Sequence, residues 1–350
     1  MTERTPTPAS EPDPGSDASE APPADPEPAD PGPRRRWLKA AIRLIGPALL
    51  VIVLLRIDDP GTLFASWGHA ALAPLAVAVL GNVLNNHFKV LRWRALLRAR
   101  GYSYPLGRAW KTFMASVYVA MLTPGRVGDV LRIQYLRHDI GVPYSEGLAV
   151  IVMDRFCDMY VLLAFVAVGV AHFASVFTGE LMVVTWVGVA FTALAPAMLL
   201  VPGVAERLMG RVYAKVARER HEGGLERFLE ALRAQVSSRL IYAVVLTAAA
   251  FLVNYAQGWL LGQALGLRLS FFDVMCMLAV TSLLSLLPIS VSGVGVRELF
   301  LALVFPALGL TPQQGVSFGL LVFIVIYLVV TLGGFVAWQL APPPVDAKSG

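Results

Sequence analysis

Runs of about 20 mostly apolar residues recur along this chain of 350 residues, and a helix needs a run of that length to cross a bilayer. Apolar residues make up 56% of the chain and charged residues only 15%, whereas a soluble domain has about 25% charged residues. The sequence therefore predicts an all-α polytopic membrane protein with about six full transmembrane helices. The predicted spans are 38–56, 66–88, 147–174, 181–202, 240–265 and 315–340.

The region before the first span has a different composition. Residues 1–33 contain eight acidic residues, one Arg and no aromatic residue, so they cannot bury enough apolar surface to offset the entropy of ordering. We interpret them as a disordered, Pro- and Ala-rich cytoplasmic tail without a signal peptide. The basic stretch from Arg34 to Arg43 keeps the N-terminus in the cytoplasm by the positive-inside rule. The transmembrane domain then covers 34–340, followed by a short cytoplasmic tail, 341–350.

Two further apolar stretches, 108–137 and 272–305, are interrupted by Pro and Gly. Basic residues lie both before and after the first stretch, so both of its ends are predicted to face the cytoplasm. A re-entrant helical hairpin, which enters and leaves by one face, satisfies this distribution. The stretch LTPGRVGDVLR, from Leu122 to Arg132, would form its tip and return arm. This broken backbone must face protein or water, because lipid cannot bond to free N–H and C=O groups.

The segment 203–239 contains eight Arg or Lys residues and is also predicted to be cytoplasmic. Its apolar residues recur at helical spacing, which is typical of an amphipathic helix on the membrane surface. A solvated charged connector explains the composition equally well. Span 240–265 then runs outward, the second hairpin enters from outside, and span 315–340 returns the C-terminus to the cytoplasm.

The two halves of the transmembrane domain, 66–174 and 240–340, echo one another. Corresponding glycines are Gly101 and Gly266, which are 165 positions apart, and the pairs Gly125–Gly293 and Gly141–Gly309, which are each 168 apart. Under the predicted topology the two copies are inverted, which is typical of transporters with a pathway at the repeat interface. Chance matching of Gly and Pro among apolar runs is the alternative.

Ionisable residues inside apolar stretches cost about 2.5–3.5 kcal/mol each on insertion, so they usually face a cavity or a partner. Three such groups occur, in LTPGRVGDVLR, in MDRFCDMY and in SGVGVRE. Arg side chains suit a phosphate group, and acidic residues would balance them when the site is empty. The candidate headgroup-binding residues are Arg126, Asp129, Arg132, Asp154, Arg155, Asp158, Arg297 and Glu298, and the hairpin glycines are Gly125, Gly128, Gly293 and Gly295.

These groups also have structural interpretations. The first group fits interfacial Arg residues with a helix-capping Asp, and the second fits an interfacial anchor if the apolar core begins near Tyr160. A polar group at the end of span 66–88 fits long basic side chains that reach the interface. That group consists of Asn85, Asn86, His87, Lys89, Arg92 and Arg94.

Signals for soluble enzyme chemistry are missing from the sequence. GRVGDV and SGVGVRE are rich in glycine, but neither follows a strand of a βαβ unit, so neither predicts a nucleotide site. No His or Cys spacing suits a metal. We expect no cofactor, no metal, no nucleic acid partner and no catalytic activity, and we interpret Cys157 and Cys276 as small apolar packing residues.

Four stretches together resemble the membrane domain of bacterial lysylphosphatidylglycerol synthases, which also occurs alone in flippase-like proteins. They are KVLRWRALLRARG, LTPGRVGDVLR, GLAVIVMDRFCD and LLPISVSGVGVRE, and the resemblance covers about 40–340. It implies a protein that moves a phospholipid or related lipid between leaflets. Only a short tail follows Gln339, so the soluble domain that attaches the amino acid in full-length synthases is not expected here.

The expected function is therefore translocation of an anionic phospholipid or related lipid between the leaflets of the plasma membrane, with membrane lipids as partners. A second hypothesis is a non-transporting scaffold or accessory subunit of a separate lipid-modifying or glycosyl-transferring enzyme, which would depend on segment 203–239. A third is an intramembrane enzyme acting on a lipid phosphate, for which Asp154 is the candidate general base.

Overall fold

The computed structural model describes residues 67–123, 128–173, 224–285 and 293–342, with scattered positions between 186 and 207. Every regular element in these ranges is helical. The helices are α1 (Leu72–Ala99), α2 (Leu106–Leu122), α3 (Leu131–Ile140), α4 (Tyr144–His172), α5 (Gly224–Arg233), α6 (Ser238–Ala264), α7 (Phe271–Leu284), α8 (Val296–Val304) and α9 (Pro312–Leu340).

Two of these helices, α6 and α9, are long and apolar enough to cross a membrane. They correspond to the predicted spans 240–265 and 315–340. Helices α1 and α4 occupy the predicted spans 66–88 and 147–174. The Lys and Arg residues of α1 lie in its C-terminal half, and the Asp, Glu and Arg residues of α4 lie in its N-terminal half. The other two spans and the tail 1–33 lie largely or wholly outside the described residues, so the count of six stays a prediction.

The first interrupted stretch folds as a helical hairpin made of α2 and α3. A Cβ atom at Gly128 would lie 2.2 Å from the backbone nitrogen of Ala120, so the chain turns back directly against the end of α2. Further along, the Arg132 guanidinium lies 5.1 Å from the ring centre of Phe113. The second arm therefore runs antiparallel to the first. Gly125 and Arg126, which the sequence predicts at the tip, lie outside the described residues.

The second interrupted stretch also divides into two helices, α7 and α8. Gly293 and Gly295 precede α8 with φ angles of 78° and 88°, a left-handed region that favours glycine. A Cβ atom at Gly293 would lie 2.0 Å from Ser285 Oγ, so the start of the second arm lies beside the end of the first. Residues 286–292, between these points, are outside the described ranges.

Helices α1 and α6 pack side by side and run antiparallel. Their register is marked by hydrogen bonds from Gln257 Nε2 to Asn82 Oδ1 (2.9 Å), from Asn85 Nδ2 to the Ala250 carbonyl (2.6 Å), and from Arg92 Nη1 to Thr247 Oγ1 (3.1 Å). Asn85 and Ala250 are 165 positions apart. The position 165 residues after Asn82 is Thr247, and the position 165 residues after Arg92 is Gln257. The Asn82–Gln257 and Arg92–Thr247 contacts therefore correspond to each other under this offset.

The remaining long helices pack in a similar reciprocal way. On α4, a Cβ atom at Gly169 would lie 2.9 Å from the Cys276 carbonyl oxygen of α7. On α9, a Cβ atom at Gly334 would lie 2.7 Å from the Met114 carbonyl oxygen of α2. These two glycines are also 165 positions apart. The last long helix of the first half, α4, therefore packs against α7 of the second interrupted stretch, and the last long helix of the second half, α9, packs against α2 of the first.

Helix α5, from the basic segment 203–239, is amphipathic as its periodicity predicts. Its apolar residues are buried against protein, however, with Phe228 7% exposed and Leu232 fully buried. Packing against α4 covers this face, so in α5 the apolar stripe is not left free for lipid. Most of the rest of the segment lies outside the described residues.

Candidate functional site

Six charged residues form one buried ion-pair network where α1, α3 and α4 meet. Within the part of the chain that the structure describes, three of its members are arginines and three are aspartates, so their charges balance. Its members are Arg92, Asp129, Arg132, Asp154, Arg155 and Asp158. The structure thus joins five of the predicted site residues with one, Arg92, that the sequence analysis did not include among them.

Asp154 is the centre of the ion-pair network. Its carboxylate is wholly buried and accepts hydrogen bonds from Arg92 Nε at 2.7 Å, Arg155 Nη2 at 3.0 Å and Arg132 Nη1 at 3.3 Å. Placing a carboxylate in this interior is costly unless it is paired and hydrogen-bonded. Asp154 meets both conditions through three arginines, and it is covered by protein rather than facing an interface.

Arg132 is held rigidly by charge and by aromatic rings. Its guanidinium lies 5.5 Å from the ring centre of Trp93 and 5.1 Å from that of Phe113, and its Nη2 lies 3.1 Å from Asp129 Oδ1. Cation–π contacts are strongest when the cation is desolvated, and Arg132 is fully buried. In this conformation Arg132 is therefore a supporting residue and has no surface to offer a ligand.

Arg92 is the functional-site residue that the sequence analysis missed. It was grouped with basic side chains that reach the interface, but its side chain is buried and bonds Asp154, Asp158 and Thr247. A signal was present, because Asn85, Lys89 and Arg92 recur at spacings of four and three residues. Such a stripe marks one face of a helix. A polar stripe of this kind, continuing from the apolar span 66–88, indicates a buried polar face.

A cavity of about 90 Å³ lies beside the ion-pair network. One wall is polar and consists of Asn82, Asn85, Asn86, Lys89, Asp129, Arg155 and Asp158. The apolar wall comes from α2 and α9 and consists of Phe113, Val117, Ala120, Met121, Ile326, Tyr327 and Val330. The cavity is therefore lined both by charged and amide side chains and by apolar ones.

The members of the ion-pair network differ in access to this cavity. The side chains of Arg155 and Asp158 are 34% and 25% exposed, whereas those of Arg92, Arg132 and Asp154 are at most 1% exposed. Arg155 bonds Asp154 and Asp158 and also lies 3.7 Å from Asp129. Arg155 is thus the guanidinium that a molecule in the cavity can reach without breaking the centre of the network.

The asparagines of the polar wall are fixed by bonds to backbone carbonyls. Asn82 Nδ2 donates to the Val325 carbonyl at 2.7 Å, and Asn86 Nδ2 donates to the Asn82 carbonyl at 2.8 Å. The first of these bonds joins α1 to α9. The cavity therefore lies between helices from both halves of the chain and is shaped by both.

Arg297 and Glu298 form a separate buried pair at the start of α8. Arg297 Nη2 donates to Glu298 Oε1 at 2.6 Å, and the other carboxylate oxygen accepts from the Gly295 N–H at 2.6 Å. The Arg297 guanidinium also lies 5.5 Å from the ring centres of both Phe323 and Tyr327. Seven of the eight predicted residues thus divide between two locations, five in the ion-pair network and two in this pair, and Arg126 lies outside the described residues.

Among the described residues, no group of three or more His, Cys, Asp or Glu side chains is placed to hold a metal ion. Cys157 and Cys276 are both free and buried, and they pack within the two apolar cores.

Comparison with known proteins identifies the family. The sequence profile of the lysylphosphatidylglycerol synthase TM region matches residues 37–334. The chain belongs to this family. The resemblance drawn from the four sequence stretches is therefore confirmed. Membership of this family makes the chain a membrane protein.

Relatives within curated proteins are distant in sequence. The UPF0104 membrane protein MJ1595 of Methanocaldococcus jannaschii is 21% identical over 74% of this chain and 82% of its own length. The UPF0104 membrane protein PH1989 of Pyrococcus horikoshii is 18% identical, with 74% of this chain and 84% of the relative covered. Glycosyltransferase AglD of Haloferax volcanii is 24% identical over 86% of this chain, but only 54% of AglD is covered.

Proposed function

We propose that this protein moves an anionic phospholipid or related lipid between the two leaflets of the plasma membrane. The observation that carries the proposal is the cavity, whose lining combines charged and amide side chains with apolar ones. A lipid has the same division, because its headgroup is polar and its tails are apolar. Ionisable groups buried among apolar helices commonly mark a substrate pathway in membrane proteins.

In this proposal Arg155 and Lys89 contact the lipid phosphate, since both line the cavity. Arg suits phosphate through its planar set of donors. Arg92, Arg132 and Asp154 hold Arg155 in place and do not touch the lipid. The sequence analysis had given Arg132 and Arg297 a direct role, but both are nearly or fully buried. We therefore assign them supporting roles.

In this proposal the helices around the cavity separate so that the headgroup can pass from one leaflet to the other. We infer that the two hairpins are re-entrant and that the two halves form an inverted repeat. The antiparallel packing of α1 and α6 and the exchange of their contacts under one offset support this. Such repeats commonly alternate access by moving one half against the other.

This topology makes the protein multi-pass, with the N-terminus and the C-terminus both in the cytoplasm. The distribution of Arg and Lys supports that orientation. The proposal needs no cofactor and no covalent chemistry, and membrane lipids are the partners.

The direct test uses proteoliposomes that contain a fluorescent anionic phospholipid and measures its movement by quenching from outside. Replacing Arg155 by Ala should reduce the rate by about tenfold or more, since a lost charge-assisted contact is worth about 1.5–3 kcal/mol. Arg155→Lys should retain part of the rate. Arg100→Gln is the matched control, because Arg100 pairs with Glu146 away from the cavity. Equal rates in Arg155→Ala and wild type would remove the proposed role.

One observation favours a second candidate function. AglD is named a glycosyltransferase and aligns with this chain over only about half of its own length. A membrane module of this family can therefore occur in a longer chain that bears that name. This chain could accordingly be an accessory subunit for a separate lipid-modifying or glycosyl-transferring enzyme. If purified protein moves no lipid but co-purifies with such an enzyme in a defined ratio, this second function is favoured.

A further inference from the structure

Helix α9 changes its winding between the two charged sites. Residues Phe323–Leu328 form a π-helical segment, and at its end the Val329 N–H bonds to the Ile324 carbonyl five residues earlier. Short π-helical segments are rare and frequently lie at functional positions. The segment therefore requires an explanation from its surroundings.

One side of the segment faces Arg297. The rings of Phe323 and Tyr327 are stacked, 6.2 Å apart and 22° from parallel, and each ring centre lies 5.5 Å from the guanidinium carbon. Arg297 is 2% exposed, and among the described residues its Nη1 atom has no hydrogen-bond partner. The two rings are therefore a principal contact of this buried cation.

Another side of the same segment faces the cavity. Tyr327 and Ile326 form part of its apolar wall, and the same cavity is lined by Arg155 and Asp158. The Val325 carbonyl accepts the hydrogen bond from Asn82 of the polar wall. Phe323, in contrast, covers Arg297 without lining the cavity. Tyr327 is thus a residue that contacts both sites.

We propose that Tyr327 couples the cavity to the second hairpin. When the cavity widens, Tyr327 moves away from Arg297, and the ion pair that Arg297 makes with Glu298 loses one of its covering rings. Glu298 also accepts the Gly295 N–H, so the start of α8 responds to the state of the cavity. Coupling of this kind is reciprocal, so weakening the Arg297 site must in turn open the cavity.

The proposal concerns two sites within the protein and holds whichever molecule occupies the cavity. Its test therefore measures access to the cavity and not transport. In a background with Cys157→Ser and Cys276→Ser, Val117→Cys places one thiol on the cavity wall. The measurement is the rate at which a small, membrane-impermeant thiosulfonate labels that thiol in detergent-purified protein.

Arg297→Gln should raise the labelling rate by about fivefold or more, the lower range of typical coupling between sites. In the Tyr327→Leu background the same substitution should have no effect, because the coupling ring is absent. Tyr327→Phe keeps the ring and should preserve the response. Phe323→Leu is the matched control, because it removes a ring from Arg297 but none from the cavity wall, so the response to Arg297→Gln should remain.

Equal responses to Arg297→Gln with and without the Tyr327 ring would overturn the proposal, and so would the absence of any response. Each variant is first checked for a single elution peak and a cooperative thermal transition. If Arg297→Gln does not fold, Arg297→Lys replaces it, since Lys keeps the charge but loses the planar stacking surface. Failure of lipid transport leaves this result unaffected.

Discussion

At the scale of single residues, the ion-pair network is a neutral set of charges whose centre cannot reach water. Buried pairs add little net stability compared with well-packed apolar residues, but removal of one partner leaves an uncompensated charge. Asp154 serves three arginines at once. It is therefore the position at which a single lost charge does the most damage.

We predict that Asp154→Asn lowers the free energy of unfolding by about 3–5 kcal/mol, the usual cost of breaking a buried pair. Denaturant unfolding in detergent micelles measures the change. Glu146→Gln is the control and should cost less, because the Arg100 and Glu146 side chains are each about one-fifth exposed whereas Asp154 is fully buried. If both variants lost a similar free energy of unfolding, the burial of Asp154 would not make the loss of its charge more costly, which would contradict the prediction.

Residue types alone could not separate the supporting arginines from the accessible one. Arg132 and Arg155 both follow apolar sequence and both have acidic neighbours. Only the packing of Trp93 and Phe113 around Arg132 shows that it is enclosed. Accessibility depends on which rings approach from other helices, and no local pattern contains that information.

At the scale of elements, the first hairpin depends on the close approach of its two arms. The absence of a side chain at Gly128 lets the return arm lie against the backbone of Ala120. The neighbouring bond from the Gly128 N–H to Thr123 Oγ1, at 3.0 Å, holds the turn together. This hairpin brings Asp129 and Arg132 to α4, so the ion-pair network relies on it.

Gly128→Ala should destabilise the protein by about 1–3 kcal/mol, the typical cost of overpacking, because the new methyl group meets backbone atoms. Gly107→Ala is the matched control, since an added Cβ there has no neighbour within 4 Å. Thermal unfolding of the two variants in the same detergent gives the comparison. An unchanged transition temperature in Gly128→Ala would mean that the arms separate at no cost.

At the scale of the whole molecule, the two halves share an offset of 165 positions in their helix contacts. Ser103 and Arg268 are related by the same offset, and both are exposed residues between helices. If the halves are inverted in the bilayer, these two positions face opposite sides of the membrane.

We therefore predict that Ser103→Cys is labelled by an impermeant thiol reagent only from the cytoplasmic side, and Arg268→Cys only from outside. Both substitutions are made in the Cys157→Ser, Cys276→Ser background, and labelling is compared in intact and permeabilised cells. Labelling of both positions from one side would contradict the inverted topology. That result would not bear on the ion-pair network, whose charged residues belong to the first half and which contacts α6 through Thr247.

The sequence by itself determined the features that depend on near neighbours along the chain. Apolar runs predicted the helices α1, α4, α6 and α9, and Gly and Pro interruptions predicted the places where the two hairpins break. The offset of 165 positions was visible in Gly101 and Gly266, and both have left-handed φ angles where a helix ends. These features can be read from the sequence because helix formation and chain reversal depend on the stereochemistry of residues that are close together in the chain.

Only the tertiary structure decided which charges meet. Arg92 joined Asp154 across 62 positions, Arg297 formed a separate site, and Tyr327 came to lie between the two. The physical reason is that pairing depends on how far each helix is rotated and displaced against its neighbours. That arrangement depends on contacts between segments far apart in the chain, and therefore cannot be read from any single stretch of it.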